Sequence, residues 1–119
     1  MVLAAGGISL HAVDVARGVP AAGLEVELWA LAPQRRLVAQ GALAANGQLE
    51  HPSVQGDGIA VGEYEALFHV GDYLRAQGGA DASPFLDVLP FRFWVRDLSQ
   101  HLHLPLKFTA WGCALFRGS

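Results

Sequence analysis

Only one stretch of this chain has the makings of a helix, and that limits what the remainder can build. Residues 71–77 (GDYLRAQ) support one or two turns before Gly78 and Gly79 stop them. Nearly every other ordered stretch is short, alternates in character and is bounded by Gly, Pro or Asn. Residues 8–15 (ISLHAVDV) put Ser9, His11 and Val13 on one face and Ile8, Leu10 and Ala12 on the other. Residues 23–31 set Leu24, Val26, Leu28 and Ala30 against Glu25, Glu27 and Trp29. Further strands are expected over 36–43, 48–51, 63–70, 85–95, 101–110 and 113–117. Residues 16–20, with Gly18 and Pro20, read as a turn, and 52–62 and 80–84 read as loops. Asn46-Gly47 is a tight-turn signal because both residues tolerate positive φ. Pro90 lacks a ladder donor and marks an edge strand or a bulge. Short strands at this spacing, with one short helix, predict an all-β sandwich.

At 119 residues the expectation is one domain spanning 1–119, long enough for a two-layer core. The chain is 52% hydrophobic and 16% charged, with a mean hydropathy of +0.30. No apolar run approaches the ~18 residues of a membrane span, so no membrane partner is expected. The surplus apolar surface points to interfaces between copies. Residues 1–7 lack the basic start and the long apolar run of a signal peptide. The single cysteine, Cys113, allows no internal disulfide, and a cytoplasmic protein is expected. A net charge of −3 without a basic cluster argues against nucleic acid.

The chemistry concentrates near the C-terminus, in HLHLPLKFTAWGCALFRGS. If 101–108 is a strand, His101, His103, Pro105 and Lys107 share one face. His11, His101 and His103 are the candidate reactive groups, against the alternative that each is a hydrogen-bonded packing residue. His51 sits at a loop margin and His69 in a strand without polar company, so both read as structural. His-x-His with His11 as a third ligand could hold zinc. No Asp, Glu or Cys accompanies the pair at a persuasive spacing, so the site is expected to hold no metal. Cys113 reads as a small apolar strand residue rather than a nucleophile. Lys107 either snorkels to water at a sheet margin or supplies a cation to the histidine face.

These residues resemble a known family. Residues 10–21 (LHAVDVARGVPA), the Asn46-Gly47-Gln48 turn, Gly62-Glu63-Tyr64 and Gly71-Asp72-Tyr73-Leu74 are similar to the transthyretin-related proteins. His101-Leu102-His103-Leu104-Pro105-Leu106 and the ending Phe116-Arg117-Gly118-Ser119 resemble, more narrowly, the 5-hydroxyisourate hydrolases of purine (urate) catabolism. The resemblance implies a transthyretin-like sandwich of two four-stranded sheets, assembled as a homotetramer from paired dimers. It implies cofactor-free hydrolysis of a small heterocyclic substrate in a channel between the dimers. It carries catalytic roles to His11, His103, Arg117 and Ser119, with Gly118 beside them. Gln48 stands where the family has arginine, Phe116 where it has tyrosine, and Lys107 where it has an apolar residue.

Hydrolysing a cyclic amide needs a base for water, a positive group for the oxyanion and a proton for the leaving nitrogen. His11 and His103 are the expected base and proton shuttle, and Lys107 or Arg117 the electrostatic stabiliser. Gln48 and His101 complete the substrate-binding set, with Trp111 and Phe116 as apolar walls. Three functions stay open: hydrolysis of 5-hydroxyisourate, a paralogue acting on a substituted hydroxyisourate or another cyclic amide, and a non-catalytic ligand-binding or scaffold tetramer.

Overall fold

A computed structural model describes residues 6–78 and 85–118. Eight strands form the two layers: β1 (Ile8–Asp14), β2 (Val19–Pro20), β3 (Glu25–Ala30), β4 (Arg36–Ala42), β5 (Gly62–His69), β6 (Val88–Val95), β7 (Leu102–Phe108) and β8 (Cys113–Leu115). One sheet runs β2-β1-β7-β8 and the other β4-β3-β5-β6. The expected sandwich of two four-stranded sheets is the fold observed.

Alternation decides which faces meet. Ile8, Leu10 and Ala12 of β1 and Leu104, Leu106 and Phe108 of β7 turn inward, onto Val26 and Leu28 of β3 and Tyr64, Ala66 and Phe68 of β5. All are buried, which leaves Ser9, His11, His103 and Lys107 to the outer face. Strands β1 and β7 pair in parallel, in register from Ile8↔Leu102 to Asp14↔Phe108. Pro90 lies in β6, which among the described residues pairs only with β5 and is an edge strand.

Helix α1 (Val70–Gln77) follows β5 directly and is tied to β1 by a buried polar contact. The Tyr73 hydroxyl donates to Asp14 Oδ2 at 3.0 Å, and the ring packs edge-on against Phe108. Asp14 is only 2% exposed, and its other oxygen accepts from the Arg17 backbone N–H at 3.2 Å. Burial, followed by the neighbouring carboxylate, pushes the Tyr73 hydroxyl up to about 12, so it remains a neutral donor.

Several expected elements differ. Residues 48–51 form no strand: Gln48 makes one isolated bridge to His11, and His51 then caps a 3-10 helix (Pro52–Gln55). The imidazole Nδ1 of His51 accepts from the Ser53 N–H at 3.0 Å, so the expected loop over 52–62 begins as a short helix. Val19 and Pro20, expected only to turn, pair with Asp14 and Val13. His69 does have polar company: its Nε2 lies 2.5 Å from Glu27 Oε2 on the neighbouring strand β3. That hydrogen bond outweighs burial and holds the Glu27 carboxyl below its usual range. Cys113 does lie in a strand as expected, exposed at a sheet edge. The expected loop over 80–84 lies outside the described residues.

Replacing Tyr73 with Phe keeps the ring contact but leaves the buried Asp14 short of a donor. The expected cost is about 1–3 kcal/mol of unfolding free energy, read as a lower denaturation midpoint with an unchanged slope.

Candidate active site

The outer face of β1 and β7 gathers the candidate groups, and the backbone register decides which ones meet. Ser9 pairs with His103, His11 with Pro105 and Val13 with Lys107. The His11 and His103 rings come to 5.8 Å between centroids, tilted by 31°. Behind them, Ser9 Oγ lies 2.7 Å from His103 Nδ1 and 2.9 Å from His101 Nε2. The other nitrogen of His101 lies 2.8 Å from the Gly6 carbonyl oxygen. Ser9, at 5% exposed, is the buried link of this polar chain, His103 is half-buried and His101 reaches the surface. Partial burial, then the charges of His11 and His101, lowers the His103 pKa below its ordinary 6.5.

Two glycine-bearing segments close in on the histidines from either side. Beyond β1, the Asn46-Gly47 turn lays residues 47–49 along the strand edge, with Ala12 N–H donating to Gly47 O and Leu49 N–H to Leu10 O. Gly47 has φ +80°, and a Cβ there would sit 2.7 Å from Ala12 O and 3.1 Å from His11 Cδ2. The turn thereby delivers Gln48 opposite His11. Beyond β7, the chain leaving β8 returns to His103, where the Gly118 N–H donates to His103 O at 2.7 Å. A Cβ on Gly118 would lie 2.9 Å from His103 Cδ2, so only glycine lets the tail pass this close to the ring.

The remaining expected residues are spread more widely. Lys107 is exposed on the histidine face, but β7 is flanked by β1 and β8, so it stands mid-sheet rather than at a margin. At about 3.3 Å per residue its Cα is roughly 13 Å along the strand from that of His103, with Pro105 between them. The Arg117 guanidinium donates to Gln100 Oε1 at 3.2 Å. Phe116 is exposed, and Trp111 packs its ring against Phe85 at 5.7 Å on the far side of β8 in the chain. Ser119 lies outside the described residues.

Ser9 is the participant that residue patterns alone miss. Alternation places it on the His11 face, but nothing local says that its partner strand carries two histidines. Among the described residues, no three His, Cys, Asp or Glu side chains gather in an arrangement that could hold a metal ion. A recess of about 540 Å³, lined by Asn46, Gln48, Glu50, His51 and Val54 among others, meets this face at Gln48 and contains neither His11 nor His103. In a single chain the histidine pair lies on an open sheet face.

Chemically, the arrangement offers an imidazole whose pKa is lowered, a second ring 5.8 Å away between centroids, and a serine hydroxyl hydrogen-bonded to the first. No described helix is long and apolar enough to cross a membrane.

Known proteins share both sequence and shape with this chain. The family model for the HIUase/Transthyretin family matches residues 8–118. A 5-hydroxyisourate hydrolase of Deinococcus radiodurans is 39% identical, over 95% of this chain and 96% of that protein. The crystal structure of an (S)-allantoin synthase superposes with a TM-score of 0.85 at 32% identity, covering 98% of this chain, which spans only 44% of that one. The 5-hydroxyisourate hydrolase of Klebsiella pneumoniae shares the fold, with a TM-score of 0.80 at 24% identity over 96% of this chain and 99% of that one. With the two sheets, the paired histidines and a match over residues 8–118, this chain belongs to the HIUase/Transthyretin family.

Proposed function

We propose that this protein is a cofactor-free hydrolase that opens the ring of 5-hydroxyisourate in purine catabolism. The observation that carries the reading is the His11–His103 pair on the outer face of the first sheet, backed by Ser9 and edged by Gln48 and Gly118. Relatives named 5-hydroxyisourate hydrolase, 37–39% identical over nearly the full chain, support the substrate.

Hydrolysis adds a water oxygen to a ring carbonyl carbon, breaks that carbon's bond to nitrogen and returns a proton to the nitrogen. A neutral imidazole takes the water's proton, and the same or the second imidazole delivers it to the leaving nitrogen. His103, held neutral by its surroundings, suits the first task, and His11 stands close enough to share the second. Gln48 supplies an amide beside His11 for a ring carbonyl or N–H. The oxyanion needs a cation, and Lys107 and Arg117 are the candidates this face offers, with Ser119 completing the catalytic set. Trp111, Phe116 and Gly118 bound the binding surface.

The working form is a homotetramer in the cytoplasm. An open histidine face and the exposed Val15, Trp111 and Phe116 support a second copy covering the site, and the lone exposed cysteine fits a reducing compartment. Gln48 in place of the family arginine favours one further reading, a paralogue acting on a substituted hydroxyisourate.

The deciding measurement is the decay of freshly generated 5-hydroxyisourate with and without the protein. Acceleration is expected; an unchanged decay rate sinks the proposal, and a substituted analogue turned over instead selects the paralogue. His103→Ala is expected to cost roughly 10²–10⁴-fold in kcat while sedimentation still reports a tetramer.

The pH profile has a definite sign. Because the neutral ring is the active form and its pKa is depressed, kcat/KM should hold as pH falls through 6.5 and drop only below it. His11→Gln removes one of the charges that depress it, moving that acid limb upward but not fully back, since the larger contribution is burial. The same shift means the native state binds fewer protons than the unfolded chain between the depressed value and 6.5, so stability rises with pH across that window.

A further inference from the structure

We infer that Ser9 and His101 form a positioning relay that fixes His103 as the tautomer with its hydrogen on Nδ1 and its lone pair on Nε2. Hydrogen-bond accounting gives the assignment, starting from a group with no freedom. The Gly6 carbonyl can only accept, so His101 Nδ1, 2.8 Å away, must carry a hydrogen. In a neutral ring the other nitrogen is then bare, and His101 Nε2 must accept from Ser9 Oγ at 2.9 Å. A serine hydroxyl has one hydrogen, and this contact uses it. Toward His103 Nδ1, at 2.7 Å, Ser9 Oγ can therefore only accept. His103 carries its hydrogen on Nδ1, and Nε2 is left as the basic nitrogen. Reversing the assignment would require a second proton on His101.

The surroundings make this a constraint rather than one option among several. Ser9 is 95% buried, so bulk water does not offer its hydroxyl other partners. Its register position directly opposite His103 on the parallel ladder fixes the distance by backbone pairing. Among the described residues no hydrogen bond engages His103 Nε2, whereas Gly118 closes against the adjacent Cδ2. A free histidine side chain prefers the opposite tautomer, with hydrogen on Nε2, and so would present an acid where the proposed hydrolysis needs a base. Ser9 and His101 thus act through His103 without touching substrate, and His101 acquires this role in place of substrate contact. The catalytic consequence rests on the hydrolase proposed above; the tautomer does not.

The test reads the tautomer directly. In protein labelled with ¹⁵N-histidine, at alkaline pH where imidazoles are neutral, long-range ¹H–¹⁵N correlations distinguish a protonated from a bare ring nitrogen. Wild type is expected to show His103 with Nδ1 protonated and Nε2 bare. Ser9→Ala should move His103 toward the Nε2-protonated form, and Ser9→Thr, which keeps the hydroxyl, should restore the wild-type pattern. His101→Gln provides a second variant should Ser9→Ala fold poorly, because it frees the serine hydrogen to point at His103. With 5-hydroxyisourate, Ser9→Ala should lower kcat about tenfold with little change in KM. A wild-type His103 protonated on Nε2, or a Ser9→Ala spectrum unchanged at His103, overturns the relay. Failure of wild type to accelerate 5-hydroxyisourate decay, with the tautomer pattern intact, overturns the substrate and leaves the relay standing.

Discussion

The parallel ladder between β1 and β7 is the constraint on which the rest of this molecule depends. Its strands lie near opposite ends of the chain, and the whole second sheet is built between them. Register along the ladder is set by the core. Ile8, Leu10 and Ala12 must face inward together with Leu104, Leu106 and Phe108. A one-residue slip would turn Ser9 and His11, or His103 and Lys107, into the apolar interior, where an unpartnered polar group costs more than a hydrogen bond returns. The hydrophobic core therefore specifies the polar face: packing on one side of the sheet is what places Ser9 against His103 on the other.

The second requirement is that backbone, not only side chains, encloses the histidines. Both flanking segments reach the ladder as irregular chain held by a few backbone hydrogen bonds, and both cross a histidine ring at glycine. A Cβ on Gly47 would collide with Ala12 O and crowd His11 Cδ2, and one on Gly118 would collide with His103 Cδ2. An enclosure made from backbone leaves side chains such as Gln48 free to vary without disturbing the histidines. Gln48 meets His11 through a single isolated bridge.

Much of the sandwich was legible because period-two alternation is a local signal. The inward set of β1, the strands β3 and β5, the Asn46-Gly47 turn and the edge placement of Pro90 all follow from neighbours in sequence. What could not be read was pairing. Ser9 gains its meaning from a strand more than ninety residues away, and His69 from Glu27 on the adjacent β3. Residues 48–51 misled for the same reason: their alternation suited a strand, but only Gln48 finds a partner before His51 turns the chain into a helix cap. Alternation alone marked His11, His101 and His103 as candidates, and the resemblance to known hydrolases gave His11 and His103 their expected roles. Their hydrogen-bonding came only from the register.

The lowered His103 pKa and the Ser9 relay pull in opposite directions, and the balance explains why both are present. Burial keeps the ring neutral and ready to accept a proton, but a pKa pushed too far down makes a feeble base. An acceptor on Nδ1–H works the other way, because Ser9 Oγ stabilises the cation that forms once Nε2 takes the water's proton. Covering the face with a second copy, as the proposed tetramer requires, withdraws more water and strengthens the first effect. The serine contact, already dry in one chain, is little altered by that step. Assembly would then sharpen the preference for a neutral His103 while the relay preserves its capacity to accept a proton. A face with the histidines but no buried hydroxyl behind them would lose basicity on assembly with nothing to restore it.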